Sequence, residues 1–284
     1  MHALINGQAN SGNPIATILW EIKSSEWQHA AYLIGTCHVV GKSWLDQWKP
    51  VTECLSAADC LYTECFPSTT VNTPGLGYIK ALDLLSSEQY DLLDAFFRER
   101  SGESEGLEHE EAKDISVVGM ISAIKEMLIR KNAQRPFHQM DYELYQSFVH
   151  ANKMTKALEY SWDLDFRPDD KAAAKSLLDV FVRQVHHARE WDTDRADSII
   201  ARTIAWYHSL SFNYALDEEA PSPEYAGTAV TVAERNRRWL PGIMHALPEG
   251  PTVVAVGIGH LFYNTGLVTL LQQQGLILLP VSLR

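Results

Sequence analysis

The sequence has few cysteines, and their arrangement excludes two common uses of this residue. Four of the 284 residues are cysteine, all lie between positions 37 and 65, and no pair has Cys-x-x-Cys spacing. A zinc knuckle or a disulfide framework is therefore not expected in a chain of this length. We expect mostly buried thiols in a reducing compartment, with Cys37 set apart because it directly precedes His38.

Positive charge and long apolar runs are also scarce. The 24 Lys and Arg residues are outnumbered by 36 Asp and Glu, and the net charge of −12 argues against nucleic acid as the main partner. No apolar run is long enough to cross a bilayer. Residues 1–14 are polar and show neither the basic nor the apolar region of a signal peptide. We therefore expect a cytoplasmic protein with no membrane span.

The remaining composition is that of an ordinary globular protein. The chain is 46% hydrophobic and 21% charged, and its length suffices for the core of one α/β domain. We expect a single domain over residues 1–284. No pattern in the sequence indicates an oligomeric state.

Strand-like and helix-like patterns divide the chain. The hydrophobic spacing predicts strands over residues 17–23, 30–37, 60–65, 252–257 and 276–281, the first two forming a hairpin. It predicts helices over residues 43–57, 78–98, 117–133, 141–153, 169–211, 228–246 and 263–274. Residues 156–160 are ambiguous between the two.

A Gly-x-x-His motif follows a predicted strand near each end of the chain. The two copies are Gly35-Thr-Cys-His38 and Gly257-Ile-Gly-His260, each leading toward a predicted helix. This arrangement predicts an α/β fold in which strand–GxxH–helix units form a central mixed sheet, with a large helical middle region. Residues of about 67–136 and 161–228 are expected to form helical insert or lid regions.

His38, His260 and Glu64 are the main candidates for chemistry. Loops beyond the carboxyl ends of strands carry ligand sites in open α/β sheets, and a histidine there can be a base, a metal ligand or a hydrogen-bond donor. A single Gly-x-x-His more commonly only caps or packs. Glu64 ends an apolar run, where a carboxylate is costly unless it is paired or functional. The alternative is an edge-strand glutamate facing solvent.

Other positions are balanced between structural and functional interpretations. Glu159 ends another short apolar segment and is as readily an exposed helix residue, while Asp141 is most simply a helix N-cap. If Arg235 points into the protein, it could bind a carboxylate or phosphate in a bidentate manner, but composition favours a solvated helix face. Trp206 and Trp239 are expected to pack in the core or line a cleft.

In their order along the chain, these motifs resemble the TraB/GumN (TIKI-like) family, within a superfamily that includes ChaN-like and erythromycin esterase-like proteins. The likeness is carried by the strands leading to GTCH, by YTEC at 62–65, and by the segment MDYELYQSFVHANKMTKALE at 140–159. It is completed by ERNRRW at 234–239 and by the final strand–GIGH–helix–strand segment, the most specific of all. Together these stretches cover somewhat under half of the chain.

The resemblance implies a site and a chemistry. It places His38, Glu64, His260, Arg235 and Asn236 in the active site, with Glu159 at an additional motif position. Cys37 stands where the family commonly has an aliphatic residue, and a thiol there could alter metal preference or add redox sensitivity. Some TIKI relatives are metal-dependent peptidases, whereas erythromycin esterase-like relatives use a histidine base without metal.

The first hypothesis is therefore a hydrolase, a divalent-metal-dependent peptidase or amidase acting on a peptide or small-molecule substrate. Zinc, manganese or cobalt would be bound by His38, Glu64 and His260. The first alternative is a metal-independent esterase-type hydrolase in which His38 is the base. In either, Arg235 and Asn236 would bind a substrate carboxylate or stabilise an oxyanion. The remaining alternatives are a protein that binds a small ligand, haem or peptide without catalysis, and a helical module that regulates a partner.

Overall fold

The computed structural model describes residues 15–65, 77–101, 106–130, 140–190, 194–221 and 227–283. Its strands form one six-stranded sheet, which confirms the predicted α/β class. The strands are β1 (Leu19–Lys23), β2 (Ala31–Thr36), β3 (Cys60–Thr63), β4 (Met154–Ala157), β5 (Thr252–Gly257) and β6 (Ile277–Pro280).

The sheet is mixed, as predicted. Its strand order is β4-β3-β5-β2-β1-β6. The first four strands in this order run parallel, with Thr36 beside Gly257 and Thr63 beside Ala255. The β1 strand is antiparallel to both β2 and β6, so the predicted hairpin is confirmed. The carboxyl ends of four adjacent parallel strands therefore lie along one edge of the sheet.

Helices make up most of the remaining described chain. The α-helices are α1 (Lys49–Ala57), α2 (Ser87–Ser101), α3 (Glu110–Lys113), α4 (Val117–Arg130), α5 (Met140–His150), α6 (Lys171–Glu190), α7 (Asp194–Ser209), α8 (Val232–Ala246) and α9 (Leu267–Gln273). Short 3-10 helices span Lys42–Gln47, Leu82–Leu84, Ser161–Leu164, Pro168–Asp170, Leu247–Glu249 and Ile258–Leu261. None of the helices in the described ranges is both long enough and apolar enough to cross a membrane.

The buried apolar side chains form two clusters. The larger one surrounds the sheet and includes Leu33, Leu61 and Val254 of the parallel strands. The second lies within the helical middle region and includes Phe96 of α2 and Ile121 of α4. The sheet cluster packs beneath the strand ends and gives their loops a rigid support.

Several predicted element boundaries are wrong. The ambiguous residues 156–160 include the end of β4, an edge strand of the parallel group. The helix predicted over residues 43–57 is interrupted at Trp48, which is extended and precedes Pro50 in the first turn of α1. The helix predicted over residues 78–98 begins only at Ser87, after a reciprocal cap between Ser86 and Gln89.

The last helix also begins later than predicted. The interval 263–274 was predicted to be helical, but Tyr263 has a φ of 66° and α9 starts at Leu267. Gly266 stands before it, and a Cβ atom there would lie 2.4 Å from the carbonyl oxygen of Phe262. A tight turn that only glycine fits therefore separates the second Gly-x-x-His motif from its helix.

Candidate active site

Each of the four adjacent parallel strands is followed by a histidine or a glutamate. His38 follows β2, His260 follows β5, Glu64 follows β3 and Glu159 follows β4. Because the strands are parallel, these residues lie along the same edge of the sheet, where ligands bind in open α/β folds. The structure thus brings together four residues that are far apart in sequence.

The α8 helix supplies the other candidate residues. It begins after Thr231, whose side-chain oxygen accepts a hydrogen bond from the backbone N–H of Glu234 at 3.2 Å. This cap fixes the start of the helix, and its buried face then carries Arg235, Asn236 and Trp239. Arg235 and Asn236 are 4% and 1% exposed, which excludes the solvated helix face that composition favoured.

Arg235 bridges two of the carboxylates. Its Nη2 donates to Oε2 of Glu64 at 2.6 Å, and its Nε donates to Oε1 and Oε2 of Glu159 at 3.0 and 3.2 Å. Its Nη2 also contacts Oε1 of Glu159. One cation therefore compensates two buried carboxylates, as buried ion pairs require.

Glu64 stands at the centre of the group. Its Oε1 accepts from the backbone N–H of Gly257 at 2.7 Å and lies 3.6 Å from Nε2 of His260. Burial opposes its ionisation, but the charges of Arg235 and His38 and the Gly257 N–H outweigh burial and hold the pKa of Glu64 well below its usual range. Glu64 is therefore an ionised hydrogen-bond acceptor at neutral pH.

Gly257 provides the space in which the side chains meet. A Cβ atom at this position would lie 3.1 Å from Oε1 of Glu64, 3.5 Å from Nε2 of His38 and 3.9 Å from Cδ2 of His260. The three side chains thus converge around one backbone position that has no side chain of its own.

His260 is oriented by Asn236. The Nδ2 of Asn236 donates to the carbonyl oxygens of His260 and Thr265, at 3.1 and 2.9 Å. Its Oδ1 is therefore the acceptor that lies 2.7 Å from Nδ1 of His260, and Nδ1 must carry the proton. The unprotonated Nε2 faces Glu64. Burial lowers the pKa of His260 to about 4, so the ring is neutral at physiological pH.

His38 is oriented by Asp141. The Nδ1 of His38 pairs with Oδ2 of Asp141, in the first turn of α5. The Asp141 carboxylate, with a smaller contribution from Glu64, raises the pKa of His38 to about 9. The His38 side chain is 53% exposed, whereas that of His260 is 5% exposed. Solvent therefore reaches the group from the side of His38.

Glu159 lies deeper than Glu64. Its Oε2 accepts from Nε1 of Trp239 at 3.0 Å, and its backbone N–H donates to the carbonyl oxygen of Glu64 at 3.0 Å. Burial raises the pKa of Glu159 even though Arg235 opposes this effect. The side chain of Glu159 thus accepts hydrogen bonds from both Arg235 and Trp239.

Two cysteines adjoin the group. Cys37 precedes His38 and is buried, and Cys65 follows Glu64. Burial raises the pKa of the Cys37 thiol to about 11 and that of Cys65 to about 12. Neither thiol is appreciably ionised at neutral pH, which disfavours nucleophilic or redox chemistry there.

The imidazole and carboxylate donors of His38, His260 and Glu64 are chemically suited to a divalent cation. Both histidines have Nδ1 engaged by a carboxylate or amide oxygen, which is the usual support of metal-binding imidazoles. Nε2 of His260 faces Glu64, and Nε2 of His38 lies beside Gly257. Within the described ranges, no three His, Cys, Asp or Glu side chains are grouped closely enough to enclose an ion. The donors fit, but the three side chains would have to close around the ion.

The sequence interpretation missed three contributors. The sequence favours a helix cap at Asp141, and only its place in the family-like segment at 140–159 points to the site. The sequence predicts that Trp239 packs in the core or lines a cleft, and no pattern indicates that its indole N–H binds Glu159. No sequence pattern indicates that Lys125 of α4 acts near the site. Burial lowers the pKa of Lys125 to about 8, the charge of Arg235 acts in the same direction, and Lys125 in turn lowers the pKa of His38.

Comparison with known proteins confirms the family resemblance that the motifs indicate. The model of the TraB/PrgY/gumN family matches residues 18–278, so the chain belongs to this family. No curated protein and no solved structure gives a significant match.

Proposed function

We propose that this member of the TraB/PrgY/gumN family is a hydrolase of peptide or other amide bonds. The observation that carries the proposal is the convergence of Glu64 Oε1, His38 Nε2 and the His260 ring around the bare backbone of Gly257. Hydrolysis requires a proton acceptor for water and a proton donor for the leaving group within reach of one bond. The three side chains provide both.

The two histidines are suited to opposite tasks. Environments that push the pKa values of neighbouring groups apart assign the acid and the base. His260, neutral because burial lowers its pKa to about 4, would accept a proton from water at Nε2 together with ionised Glu64. His38, whose pKa Asp141 raises to about 9, would donate a proton to the departing amine. This differs from the expectation that His38 is the base.

Arg235 and Asn236 would act through the other residues. All three polar positions of the Asn236 amide are engaged within the protein, by the carbonyls of His260 and Thr265 and by the His260 ring. Arg235 is engaged by Glu64 and Glu159 and is 4% exposed. We assign them to positioning His260 and Glu64 rather than to direct contact with a substrate carboxylate.

A divalent ion is compatible with the same residues. Zinc, manganese or cobalt would be held by Nε2 of His38, Nε2 of His260 and Oε1 of Glu64, and would supply a Lewis acid that lowers the pKa of bound water. Asp141 and Asn236 would then orient the two imidazoles toward the ion. In the metal version all three residues would act on one bound water, whereas in the acid–base version Glu64 and His260 act on the water and His38 on the leaving amine.

A hydrolysis assay with matched variants tests the proposal. The purified protein, with and without added zinc, manganese or cobalt, would be incubated with a mixed peptide library and with amide and ester reporters. We expect products from the wild type and at least a 100-fold lower rate in Glu64→Gln, since proton transfer contributes about 10²–10⁴-fold. His245→Ala is the control, because His245 is 85% exposed and lies outside the site. Equal rates in Glu64→Gln and wild type would disprove the assignment.

Elemental mass spectrometry distinguishes the metal-dependent mechanism from the histidine acid–base mechanism. The wild type would be compared with the His38→Ala/His260→Ala double variant after incubation with each ion and removal of excess. Near-stoichiometric metal that is lost in the double variant supports the metal version. Hydrolysis by wild-type protein without metal supports the histidine acid–base version.

A further inference from the structure

Trp239 contacts the site at three points. It lies on α8 four residues after Arg235 and three after Asn236, so the three side chains share one helix face. It is 2% exposed. Its position alone would be that of an ordinary core tryptophan, but its neighbours are groups of the proposed site.

The indole N–H of Trp239 is directed at a carboxylate. Nε1 donates to Oε2 of Glu159 at 3.0 Å. Other tryptophans of the chain differ: among the described residues, the buried Nε1 atoms of Trp27 and Trp48 have no hydrogen-bond partner. Trp239 and Arg235 therefore both donate to Oε2 of Glu159, and the indole gives that carboxylate a second fixed donor.

The ring of Trp239 contacts the other two groups. Its centroid lies 4.5 Å from that of the His260 ring, at an interplanar angle of 34°. The Arg235 guanidinium carbon lies 4.8 Å from the indole centroid, within the range of cation–π attraction. Asn236 holds the His260 ring by one atom, whereas Trp239 covers its face and restricts its rotation.

We propose that Trp239 is a positioning residue that holds the His260 ring with Nε2 toward Glu64 and, through its indole N–H, locks the Glu159–Arg235 pair. This inference rests on the proposed hydrolase function. The hydrogen bond that Nδ1 of His260 donates to Oδ1 of Asn236 would alone leave the ring free to rotate, and loss of such supporting contacts reduces activity by about 10–100-fold. Trp239 removes this freedom without contacting the substrate.

Side-chain nitrogen NMR of His260 tests the ring contact without a substrate. In the wild type we expect a single set of His260 ring signals, with the chemical shifts of a protonated Nδ1 and an unprotonated Nε2. Trp239→Phe, which keeps an aromatic face, should retain this signal. Trp239→Leu, which removes the face, should lose it through ring motion and exchange. Trp206→Phe is the matched control, because Trp206 packs on Phe212 and Phe262 instead. An unchanged signal in Trp239→Leu would overturn the proposal.

Kinetics test the contact with Glu159. Trp239→Phe should lower kcat about 10-fold with little change in KM. When it is combined with Glu159→Gln, the total loss should be smaller than the product of the two single losses, because the bond between Trp239 and the Glu159 carboxylate can be lost only once. Losses that multiply would show that Trp239 does not act through Glu159. This comparison uses only the phenylalanine variant, so it decides the point even where the leucine variant does not fold.

The two proposals fail in different ways. The NMR signal requires no turnover. If the wild type hydrolyses nothing but Trp239→Leu shows the expected change in the His260 signal, the hydrolase proposal is contradicted and the positioning contact is supported. A wild type that hydrolyses peptides, with kcat and the His260 signal unaffected in Trp239→Leu, would contradict the positioning role alone.

Discussion

The Nη2 atom of Arg235 lies 2.6 Å from Oε2 of Glu64, and the same guanidinium holds Glu159. This single cation allows two glutamates from neighbouring strands to lie buried beside one another. Glu64 can then remain ionised next to the histidines, which the proposed chemistry requires.

Replacement of Arg235 should therefore destabilise the fold strongly. Arg235→Met leaves both carboxylates uncompensated, and breaking a buried pair in this way costs about 3–5 kcal/mol. Because protonation neutralises uncompensated carboxylates, the loss in free energy of unfolding relative to wild type should become smaller as the pH falls toward 5. Urea unfolding at pH 7.5 and pH 5 measures both effects.

Arg238→Met is the control for this prediction. Arg238 lies on the same helix but is 52% exposed and pairs with Glu234 at the surface. Its replacement should change the free energy of unfolding by less than about 1 kcal/mol. Similar losses in the two variants would show that Arg235 does not carry the buried charge balance.

Gly257 tests the geometry of the site. Gly257→Ala would place a methyl group 3.1 Å from Oε1 of Glu64 and displace that oxygen from the histidines. The φ of −51° suits alanine, so the backbone should tolerate the change. We expect kcat/KM to fall by at least about 10-fold, since a displacement of 1 Å can cost 10²-fold, with little change in the thermal midpoint.

Gly259→Ala provides the comparison, because a Cβ atom there meets nothing within 4 Å. It should keep near-wild-type activity. The geometry would be contradicted by a variant at Gly257 that retains full activity, or by equal losses at the two positions.

The proposed acid and base predict the pH dependence of kcat/KM. The rate should fall above about pH 9, where His38 loses the proton that Asp141 helps it to retain. It should fall below about pH 4, where His260 becomes protonated. In Asp141→Asn the attraction to the imidazolium is lost, so the pKa of His38 falls and the alkaline limb moves to lower pH.

An NMR titration of the His38 ring, in wild type and Asp141→Asn, measures this shift directly. The account requires a lower pKa for His38 in the variant and an alkaline limb that moves with it. A titration that does not move would contradict the assignment of Asp141.

The same shifts predict how stability depends on pH. The pKa of His260 is lower in the folded protein than in the unfolded chain, so the unfolded chain takes up the proton first as the pH falls. The contribution of His260 to the free energy of unfolding should therefore decline between about pH 6.5 and pH 4. The raised pKa of His38 acts in the opposite sense, and its contribution is lost as the pH rises toward 9.

Much of the sheet and its edge could be predicted from the sequence. The strands leading to His38 and His260 have strong β-like runs, with Gly35 just before the end of one and Gly257 at the end of the other. Since parallel strands place their carboxyl ends together, residues that follow strands are predicted to meet. This reasoning selected His38, Glu64 and His260, and the family motif added Glu159, Arg235 and Asn236.

The remaining features depend on tertiary contacts. The β4 strand has only four residues and no alternation of burial, so its sequence could not distinguish it from a helix. The pairing of Asp141 with His38 joins helix α5 to a loop 103 positions away along the chain, and no local pattern signals it. The direction of the Trp239 ring is set by how α8 packs. The expected insert boundaries and the cytoplasmic location stay predictions.

The most direct measurement is the rate of hydrolysis by wild type, His38→Ala, His260→Ala and the double variant on one responsive substrate. If the two histidines serve one hydrolytic centre, each single change should lower kcat/KM by at least about 100-fold, and the double variant should lose little more than the worse single one. Wild-type activity in either single variant, or losses that simply multiply, would contradict a shared hydrolytic centre.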